Sequence, residues 1–360
     1  MDKRVRIAGI IGALAFSAWV LTSPSDPLPI PAPSGEGPED SVVILAEDLE
    51  RPRHIAVIDD YVFVTEREGR IRLVDNGTLL ERPVAVLRPV EDFDIGLSGV
   101  AVHPNYNENG LLYAYISYRE DGTLYNKVMK ITLVENRLVD AIPIIEHIPG
   151  SRFSNGGVVK FGPDGMLYIG TGTPSDSSHL PQDIDSLAGK ILRIHDDGAI
   201  PTDNPYKDSP VYSLGHRNIR GMDWDSTGRL YISEEGPDKN DEISLITPGE
   251  NYGWPESECY GSGYANATIC YDPAIEPGGI AFSNGVAATS GHLLLASLRG
   301  GGLFEIDVNE GLSSQKILLS GVGRIRDVVQ SEDGTIYVIT SNTDGKGFPA
   351  ESDDRLLMLR

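Results

Sequence analysis

Short apolar segments separated by polar turns run along most of this chain, and helical periodicity is almost absent after residue 41. The recurring unit is an apolar strand, a polar turn with Gly or Asp, and a second apolar strand. For example, the apolar segments 159–161 and 167–169 flank the turn 162–165. Apolar runs of this length, bounded by turn residues, indicate β-strands rather than helices. The pattern therefore predicts an all-β protein.

The unit occurs six times, at a spacing of roughly 40 to 65 residues, which is the range of propeller blades. Some copies continue into a third strand, as at 190–194 and 302–306. A single antiparallel blade cannot bury both of its faces, so the copies must stack around an axis. We predict a six-bladed β-propeller over residues 42–360, since a β-sandwich would not explain the fixed repeat. The six copies are 55–57 with 61–64, 100–102 with 112–115, 159–161 with 167–169, 222–224 with 230–232, 280–282 with 293–295, and 328–329 with 336–339.

The N-terminal residues 1–24 have a different pattern. A basic start precedes an uncharged run over 7–25, which is typical of a signal peptide or an uncleaved signal anchor. We favour the anchor, because no small-x-small cleavage site precedes the Pro-rich stretch that follows. Residues 25–41 are predicted to be an extended Pro-rich linker, since repeated Pro fixes φ and removes donors. We therefore expect an exported propeller, held outside the cytoplasm by the membrane anchor or secreted.

The net charge limits the possible partners. The chain has 30 Lys and Arg against 53 Asp and Glu, a formal net charge of −23. Such a field repels nucleic acid, which excludes a polyanion partner. Local arginine clusters are the more informative because positive charge is scarce.

The two cysteines, Cys259 and Cys270, lie close together in a segment rich in Gly, Tyr and Ser. In an exported protein this spacing favours a local disulfide over two unpaired thiols.

The dipeptide Gly236 and Pro237 is the first candidate for chemistry. A Gly-Pro turn can present consecutive carbonyl oxygens, and hard cations such as Ca²⁺ prefer oxygen ligands. The nearby Asp238, Asp241 and Glu242 add oxygen donors. Acidic turns are also common on ordinary protein surfaces, so this motif indicates a metal site only in combination with other motifs.

Four arginines form the second candidate group. Each lies next to Gly or Asn, or two residues from Gly, at the point where a loop meets a predicted blade strand. One such arginine is usually a surface charge, whereas four at equivalent blade ends indicate a pocket for a polycarboxylate. The group, with the asparagine that follows the first arginine, is Arg217, Asn218, Arg299, Arg324 and Arg326.

Together these segments resemble the soluble quinoprotein sugar dehydrogenases, the glucose/sorbosone dehydrogenase family that uses pyrroloquinoline quinone (PQQ). The resemblance covers residues 42–360. It implies that the Gly236 and Pro237 carbonyls ligate Ca²⁺, and that the arginine group binds the carboxylates and carbonyls of PQQ. The implied reaction oxidises an aldose sugar at its anomeric hydroxyl to a lactone, with the electrons passing to an external acceptor of unknown identity. Further matching motifs lie at 96–99, 103–106, 155–157, 161–165 and 342–347.

One position departs from this family at its centre. The family base is a His just before the glycine pair of the third blade, and Ser154 stands there in this chain. A serine hydroxyl is a poor general base near neutral pH. Val158 and Thr173 stand where the family has Arg and Asp. The alternative candidates for the base are Asp94, Asp176 and His179.

Two main hypotheses follow from the sequence. The first is an active PQQ- and Ca²⁺-dependent oxidoreductase with a rearranged base. The second is a propeller that has lost catalysis and binds a sugar, a glycan or a protein partner outside the cell. A calcium-dependent lactonase on the same architecture is a third possibility, but it would require several carboxylates around an axial metal.

Overall fold

The six-bladed propeller is confirmed. The computed structural model describes residues 42–90, 95–283 and 292–360, and these form six antiparallel sheets. The predicted anchor (1–24), the linker (25–41) and Asp94 lie outside the described residues. In the part of the chain that is described, no helix is both long enough and apolar enough to cross a bilayer.

The strands follow one another around the ring in chain order. The first strand, β1 (Val42–Ala46), belongs to the last blade. Blade 1 has β2 (Pro52–Ile58), β3 (Tyr61–Glu66), β4 (Arg70–Asp75), β5 (Thr78–Leu79) and β6 (Ala85–Val86). Blade 2 has β7 (Leu97–Val102), β8 (Leu111–Glu120), β9 (Thr123–Val134) and β10 (Arg137–Pro149). Blade 3 has β11 (Gly156–Phe161), β12 (Leu167–Thr171), β13 (Lys190–Ile194) and β14 (Val211–Leu214).

Blade 4 has β15 (Ile219–Trp224), β16 (Leu230–Glu234), β17 (Asp241–Ile246) and β18 (Ile269–Tyr271). Blade 5 has β19 (Pro277–Phe282), β20 (His292–Ser297), β21 (Gly302–Asp307) and β22 (Lys316–Ser320). Blade 6 has β23 (Ile325–Gln330), β24 (Ile336–Thr340) and β25 (Leu356–Leu359), with β1 as its outer strand. The short helices are α1 (Tyr106–Asn109) and two 3-10 turns, Leu180–Gln182 and Gly311–Ser314.

Blade 6 closes the ring with strands from both ends of the described chain. Strand β1 pairs with β25 in antiparallel register, with Val43 opposite Met358. The first described strand is therefore hydrogen-bonded to the last. This pairing also covers the edge that β25 would otherwise expose.

The apolar core lies between neighbouring blades. Residues such as Phe63 of blade 1 and Leu112 of blade 2 are fully buried and belong to one continuous cluster. Each first strand contacts the first strand of the next blade, and β23 contacts β2, so the six first strands surround a central channel. The channel has a volume of about 190 Å³.

The beginning of each first strand has a special geometry. In all six blades the pairing register shifts directly after the first residue of this strand. Such β-bulges redirect side chains and are frequent beside active sites. We call this end of the channel the mouth. The residues at the second position of the six strands are Arg53, Ser98, Gly157, Arg220, Gly278 and Arg326.

A buried lysine holds the long loop of blade 3 at the mouth. Lys190 is fully buried, and its Nζ donates to the carbonyl oxygens of Leu180 (2.9 Å), Pro181 (3.0 Å) and Ala188 (2.7 Å). Burial lowers the pKa of Lys190 to about 7, while Asp183 opposes this shift. The lysine therefore joins the middle of this loop to its end at Ala188, while the Leu180 and Pro181 carbonyls also accept from the N–H groups of Asp183 and Gly215.

We expect Lys190→Met to lower the free energy of unfolding by about 3 kcal/mol at neutral pH, because three hydrogen bonds of the buried lysine are lost and the Ala188 carbonyl loses its lysine donor. The folded pKa of about 7 lies below the ordinary 10.5. Between these values the unfolded chain keeps a proton that the folded chain has released, so stability rises with pH. Chemical denaturation at several pH values should show that the difference in free energy of unfolding between wild type and variant increases from pH 7 to about 10. A constant gap would contradict this, and the exposed Lys207→Met serves as control.

Candidate active site

The structure brings the first loop of blade 3 against the first loop of blade 4. The Gly156 N–H donates to Asn218 Oδ1 (3.0 Å). Thr173 donates from its N–H to the Arg217 carbonyl (2.6 Å) and from its hydroxyl to the His216 carbonyl (2.8 Å). Ser154 thus lies in the loop that leads to Gly156 and contacts Asn218. Thr173 lies in the loop after β12 and joins that loop to His216 and Arg217.

Arg217 is positioned by a buried series of hydrogen-bonded side chains. His216 lies between Ser213 Oγ (Nε2, 2.8 Å) and Glu234 Oε2 (Nδ1, 3.0 Å), and its ring stacks on Tyr252 at 4.9 Å. Glu234 also accepts the Arg217 N–H. Serine, imidazole and carboxylate are in the order of a hydrolase triad, but Ser213 and His216 have no exposed surface. These hydrogen-bonded side chains therefore orient Arg217 and are not accessible to a substrate.

The Arg217 guanidinium contacts the predicted metal turn. Its Nη1 donates to the carbonyl oxygens of Glu235 (2.7 Å) and Gly236 (2.6 Å), and the guanidinium carbon lies 5.6 Å from the centre of the Trp254 ring. Burial lowers the pKa of Arg217 below its ordinary value, although Glu235 and Glu234 oppose this. The Gly236 carbonyl thus already faces a positive charge.

The acidic residues beside this turn have uses that the sequence does not reveal. Asp241 accepts the N–H groups of Gly236 (2.8 Å), Ile275 (2.7 Å) and Glu276 (2.9 Å), so it joins blade 4 to blade 5. Glu242 accepts the Cys259 N–H (2.6 Å). Asp241 and Glu242 therefore serve the backbone, and Asp238 is exposed.

A small cavity lies beside the turn and collects oxygen atoms. Gly236 and Pro237 line it together with Glu234, Glu242 and Glu258. Burial, with the charges of Glu234 and Glu258, raises the pKa of Glu242 to about 8. Among the described residues, no group of three or more His, Cys, Asp or Glu is arranged to hold a metal ion. A cation at this turn would therefore depend on backbone carbonyls.

The other three predicted arginines converge on two carboxylates. Arg299 (3.4 Å) and Arg324 (3.1 Å) both pair with Glu276. Arg324 (3.3 Å) and Arg326 (3.0 Å) both pair with Asp344. Burial acts to raise the pKa of Asp344, but Arg326 and Arg324 hold it below its ordinary value. Blades 5 and 6 therefore supply one connected network of charges.

A glutamate connects the Asn218 loop with the mouth of the channel. Glu235 accepts from Asn218 Nδ2 (2.9 Å) and from Arg220 Nε (2.9 Å). Arg220 and Arg326 line the same small cavity, together with Arg53, His54 and other residues. Arg326 is thus the predicted arginine that lines this cavity, beside Arg53 and Arg220. Arg217 is connected to Arg220 through Glu235.

Sequence reasoning missed Arg53, His54 and Arg220. His54 lies at the top of the channel, with Nδ1 at 3.3 Å from Asp327 Oδ2. Aligning the six first strands at their second residue would have put Arg53 and Arg220 in the same position as Arg326. The internal carboxylates Glu276 and Asp344 gave no signal, because only the fold brings them to the arginines.

The predicted catalytic positions have different surroundings. Ser154 has a left-handed backbone (φ 58°) and only 9% of its surface is exposed. His179 and Asp176 are exposed on the long loop of blade 3, where Asp176 accepts from Ser177 Oγ (3.2 Å). Val158 lines the channel. Asp94 lies outside the described residues.

Two buried donors at the site have no acceptor in the described part of the chain. They are Arg324 Nε and Trp254 Nε1. Buried donors are nearly always paired, so such atoms indicate a missing partner. A ligand rich in carboxylate and carbonyl oxygens would supply acceptors for both donors, and PQQ carries such oxygens. The residues present thus fit the cofactor that the sequence predicts.

The cysteines lie beside the same turn. Cys259 and Cys270 form a disulfide with a Cα–Cα distance of 5.8 Å. The bond closes the loop 259–270, which begins directly after Glu258, and Asn240 Nδ2 donates to Glu258 Oε2 (2.7 Å).

Comparison with known proteins agrees with this fold. The chain matches the Glucose / Sorbosone dehydrogenase family over residues 49–357. An aldose sugar dehydrogenase of Escherichia coli K12 is 28% identical, covering 85% of this chain and 91% of its own. The quinoprotein glucose dehydrogenase B of Acinetobacter calcoaceticus is 30% identical, covering 65% of this chain and 56% of its own. The PQQ-bound aldose sugar dehydrogenase of Streptomyces coelicolor is 35% identical, with a TM-score of 0.81, covering 89% of this chain and 98% of its own.

The family match spans most of the chain, and the site residues lie inside it. The chain therefore belongs to the glucose/sorbosone dehydrogenase family.

Proposed function

We propose that this protein is a PQQ- and Ca²⁺-dependent dehydrogenase that oxidises aldose sugars at the anomeric hydroxyl to lactones. Its family and structural relatives indicate a sugar dehydrogenase-type oxidoreductase that uses PQQ. The sugar position, the metal and the location outside the cytoplasm are parts of the proposal. The N-terminal pattern supports the location, as a membrane-anchored or secreted propeller.

The observation that carries the proposal is a set of arginines from three blades at the mouth end of the ring in an acidic protein. Arg217 and the network of Arg299, Arg324 and Arg326 come from three blades of a chain with a net charge of −23. The unpaired Arg324 Nε and Trp254 Nε1 are available to acceptor oxygens. An anionic cofactor explains both features, since guanidinium groups bind carboxylates with charge-assisted hydrogen bonds.

The roles of the chain's own residues follow from their positions. Arg324, Arg326 and Arg299 would bind carboxylates, and Arg217 with Asn218 would bind from the opposite side. Bound PQQ supplies the hydride acceptor for the reaction. The buried chain from Ser213 through His216 to Glu234 keeps Arg217 in place, so that binding does not require the loop to reorder.

Calcium would use the turn at Gly236 and Pro237. The Gly236 carbonyl accepts from Arg217 Nη1 at 2.6 Å and is therefore oriented toward a cation. Glu234 and Glu258 line the same cavity, and their negative charge favours a cation there. A bound cation would in turn favour the ionised form of Glu242, whose pKa is raised in this structure. Binding of Ca²⁺ by these carbonyls would displace the guanidinium from Gly236.

The proton of the sugar hydroxyl needs an acceptor, and Ser154 is a weak one. Asp94 and His179 stay candidates for this role, and His54 is an imidazole at the mouth of the channel. The weak base at Ser154 therefore also supports a second candidate function, which is binding without catalysis. With Ser154, Val158 and Thr173 in place of the family residues, the propeller would bind a sugar, a glycan or a protein partner without turnover.

The cofactor assignment predicts binding that depends on the arginines of blade 6. Arg324→Gln and Arg326→Gln should each weaken PQQ binding by about tenfold or more, because a charge-assisted contact is lost. Titration followed by absorbance or tryptophan fluorescence measures this without any turnover. The control is Arg229→Gln, whose side chain is half exposed and pairs with Asp225. Equal PQQ affinity in wild type, both test variants and the control would contradict the role of the arginines. If wild type does not bind PQQ at all, the cofactor assignment is wrong.

The metal assignment predicts a specific response to Ca²⁺. With PQQ present, millimolar Ca²⁺ should raise the melting temperature by a few degrees, since a ligand of the folded state stabilises it. Mg²⁺ should have a smaller effect, because it demands a stricter octahedral geometry. Differential scanning calorimetry with and without a chelator measures the shift. Identical melting curves in Ca²⁺ and chelator would disprove a Ca²⁺ site.

The missing base predicts a gain of activity. Ser154→His should raise kcat for aldoses by about 100-fold, the size of a general-base contribution. His tolerates the left-handed backbone at this position better than most residues do. Dye reduction with a panel of aldoses measures kcat and KM, and Ser154→Ala is the matched control, expected to resemble wild type. If PQQ binds but neither wild type nor Ser154→His turns over sugar, the binding function is the better assignment.

A further inference from the structure

One carboxylate occupies the pocket that the arginines form. Glu276 lies directly before β19, and its side chain is only 16% exposed. One oxygen lies 3.4 Å from Arg299 Nη2, and the other lies 3.1 Å from Arg324 Nη2. A single acid thus bridges two arginines that the site would offer to an anionic ligand.

The backbone of Glu276 is held from both sides. Its N–H donates to Asp241 Oδ2 (2.9 Å), and its carbonyl accepts from the Leu298 N–H (2.9 Å). The residue is therefore fixed to blade 4 and to the loop that carries Arg299. Its carboxylate can turn about its own side-chain bonds, but it stays attached at the pocket.

The internal pairing leaves Arg324 incompletely used. A carboxylate that binds a guanidinium side-on takes Nε and one Nη together. Glu276 and Asp344 both share Nη2 of Arg324, at 3.1 and 3.3 Å. Arg324 Nε is buried and has no acceptor among the residues described. The present contact is thus weaker than the one an external carboxylate could make.

We propose that Glu276 is an internal counter-anion that competes with external anions for Arg299 and Arg324, and so sets the affinity of the site for carboxylate or phosphate ligands. The identification of that ligand as PQQ rests on the proposed function, whereas the competition itself does not. Glu276 is therefore a residue that determines affinity and not a catalytic residue. It keeps Arg324, whose side chain is 13% exposed, paired in the absence of ligand, because an unpaired buried charge is costly. The Arg299 side chain is 58% exposed and gains less from this pairing.

The test removes the negative charge while keeping the shape of the side chain. In Glu276→Gln, Arg299 and Arg324 lack one internal partner, so the pocket should accept anions more readily. Inorganic phosphate, compared with sodium chloride at equal ionic strength, should raise the melting temperature of Glu276→Gln clearly more than that of wild type. The Kd for PQQ should fall by about tenfold or more. Glu305→Gln, at the His292 pair on blade 5, is the matched control and should behave as wild type.

The outcomes separate this inference from the proposed function. If phosphate stabilises Glu276→Gln selectively but PQQ binds neither protein, the competition holds and the cofactor assignment fails. If phosphate and PQQ act equally on wild type and on Glu276→Gln, the competition is disproved. Should Glu276→Gln fail to fold, Glu276→Asp draws the carboxylate back by one methylene. It should then show a smaller gain in the same two measurements, and no gain would overturn the proposal.

Discussion

The need of every sheet to bury both faces governs this structure. A four-stranded sheet has two apolar faces, and here each is covered by the neighbouring blade, as in the cluster that joins Phe63 to Leu112. The ring closes where β23 of blade 6 packs on β2 of blade 1, and β1 completes blade 6 by pairing with β25. Closure forces the beginnings of all six first strands to meet at one end. The site is a consequence of that meeting, since residues from five of the six blades line the mouth of the channel.

Arginine side chains are concentrated at the mouth, and neighbouring carboxylates neutralise their charge. Glu235 pairs with Arg220, Glu276 with Arg299 and Arg324, and Asp344 with Arg324 and Arg326. This arrangement stabilises the protein without a ligand, because isolated guanidinium groups would be costly to bury. It also means that an anionic ligand gains only the difference between its own contacts and those it displaces. Affinity in this site is therefore a competition between internal and external carboxylates.

The loop that carries Ser154 keeps its shape through residues on either side of that serine. Ser154 has a left-handed backbone, and its neighbours hold the loop in place. Asn155 accepts from Ser151 N–H (3.0 Å), and Gly156 donates to Asn218. None of these contacts uses the side chain of residue 154. The contacts that hold this loop therefore do not depend on the side chain at residue 154.

The sequence by itself determined the six repeats, the strand positions and the arginine and Gly-Pro motifs, because these depend on local periodicity and on residue types a few positions apart. It also identified Cys259 and Cys270 as a pair, since they lie near each other in the chain. Tertiary structure alone decided that Asp241 serves three backbone N–H groups, that Lys190 holds the blade 3 loop, and that Glu276 sits between two arginines. These contacts join residues from different blades or from distant parts of a loop. Their energies depend on burial and on distances that appear only when the ring is closed.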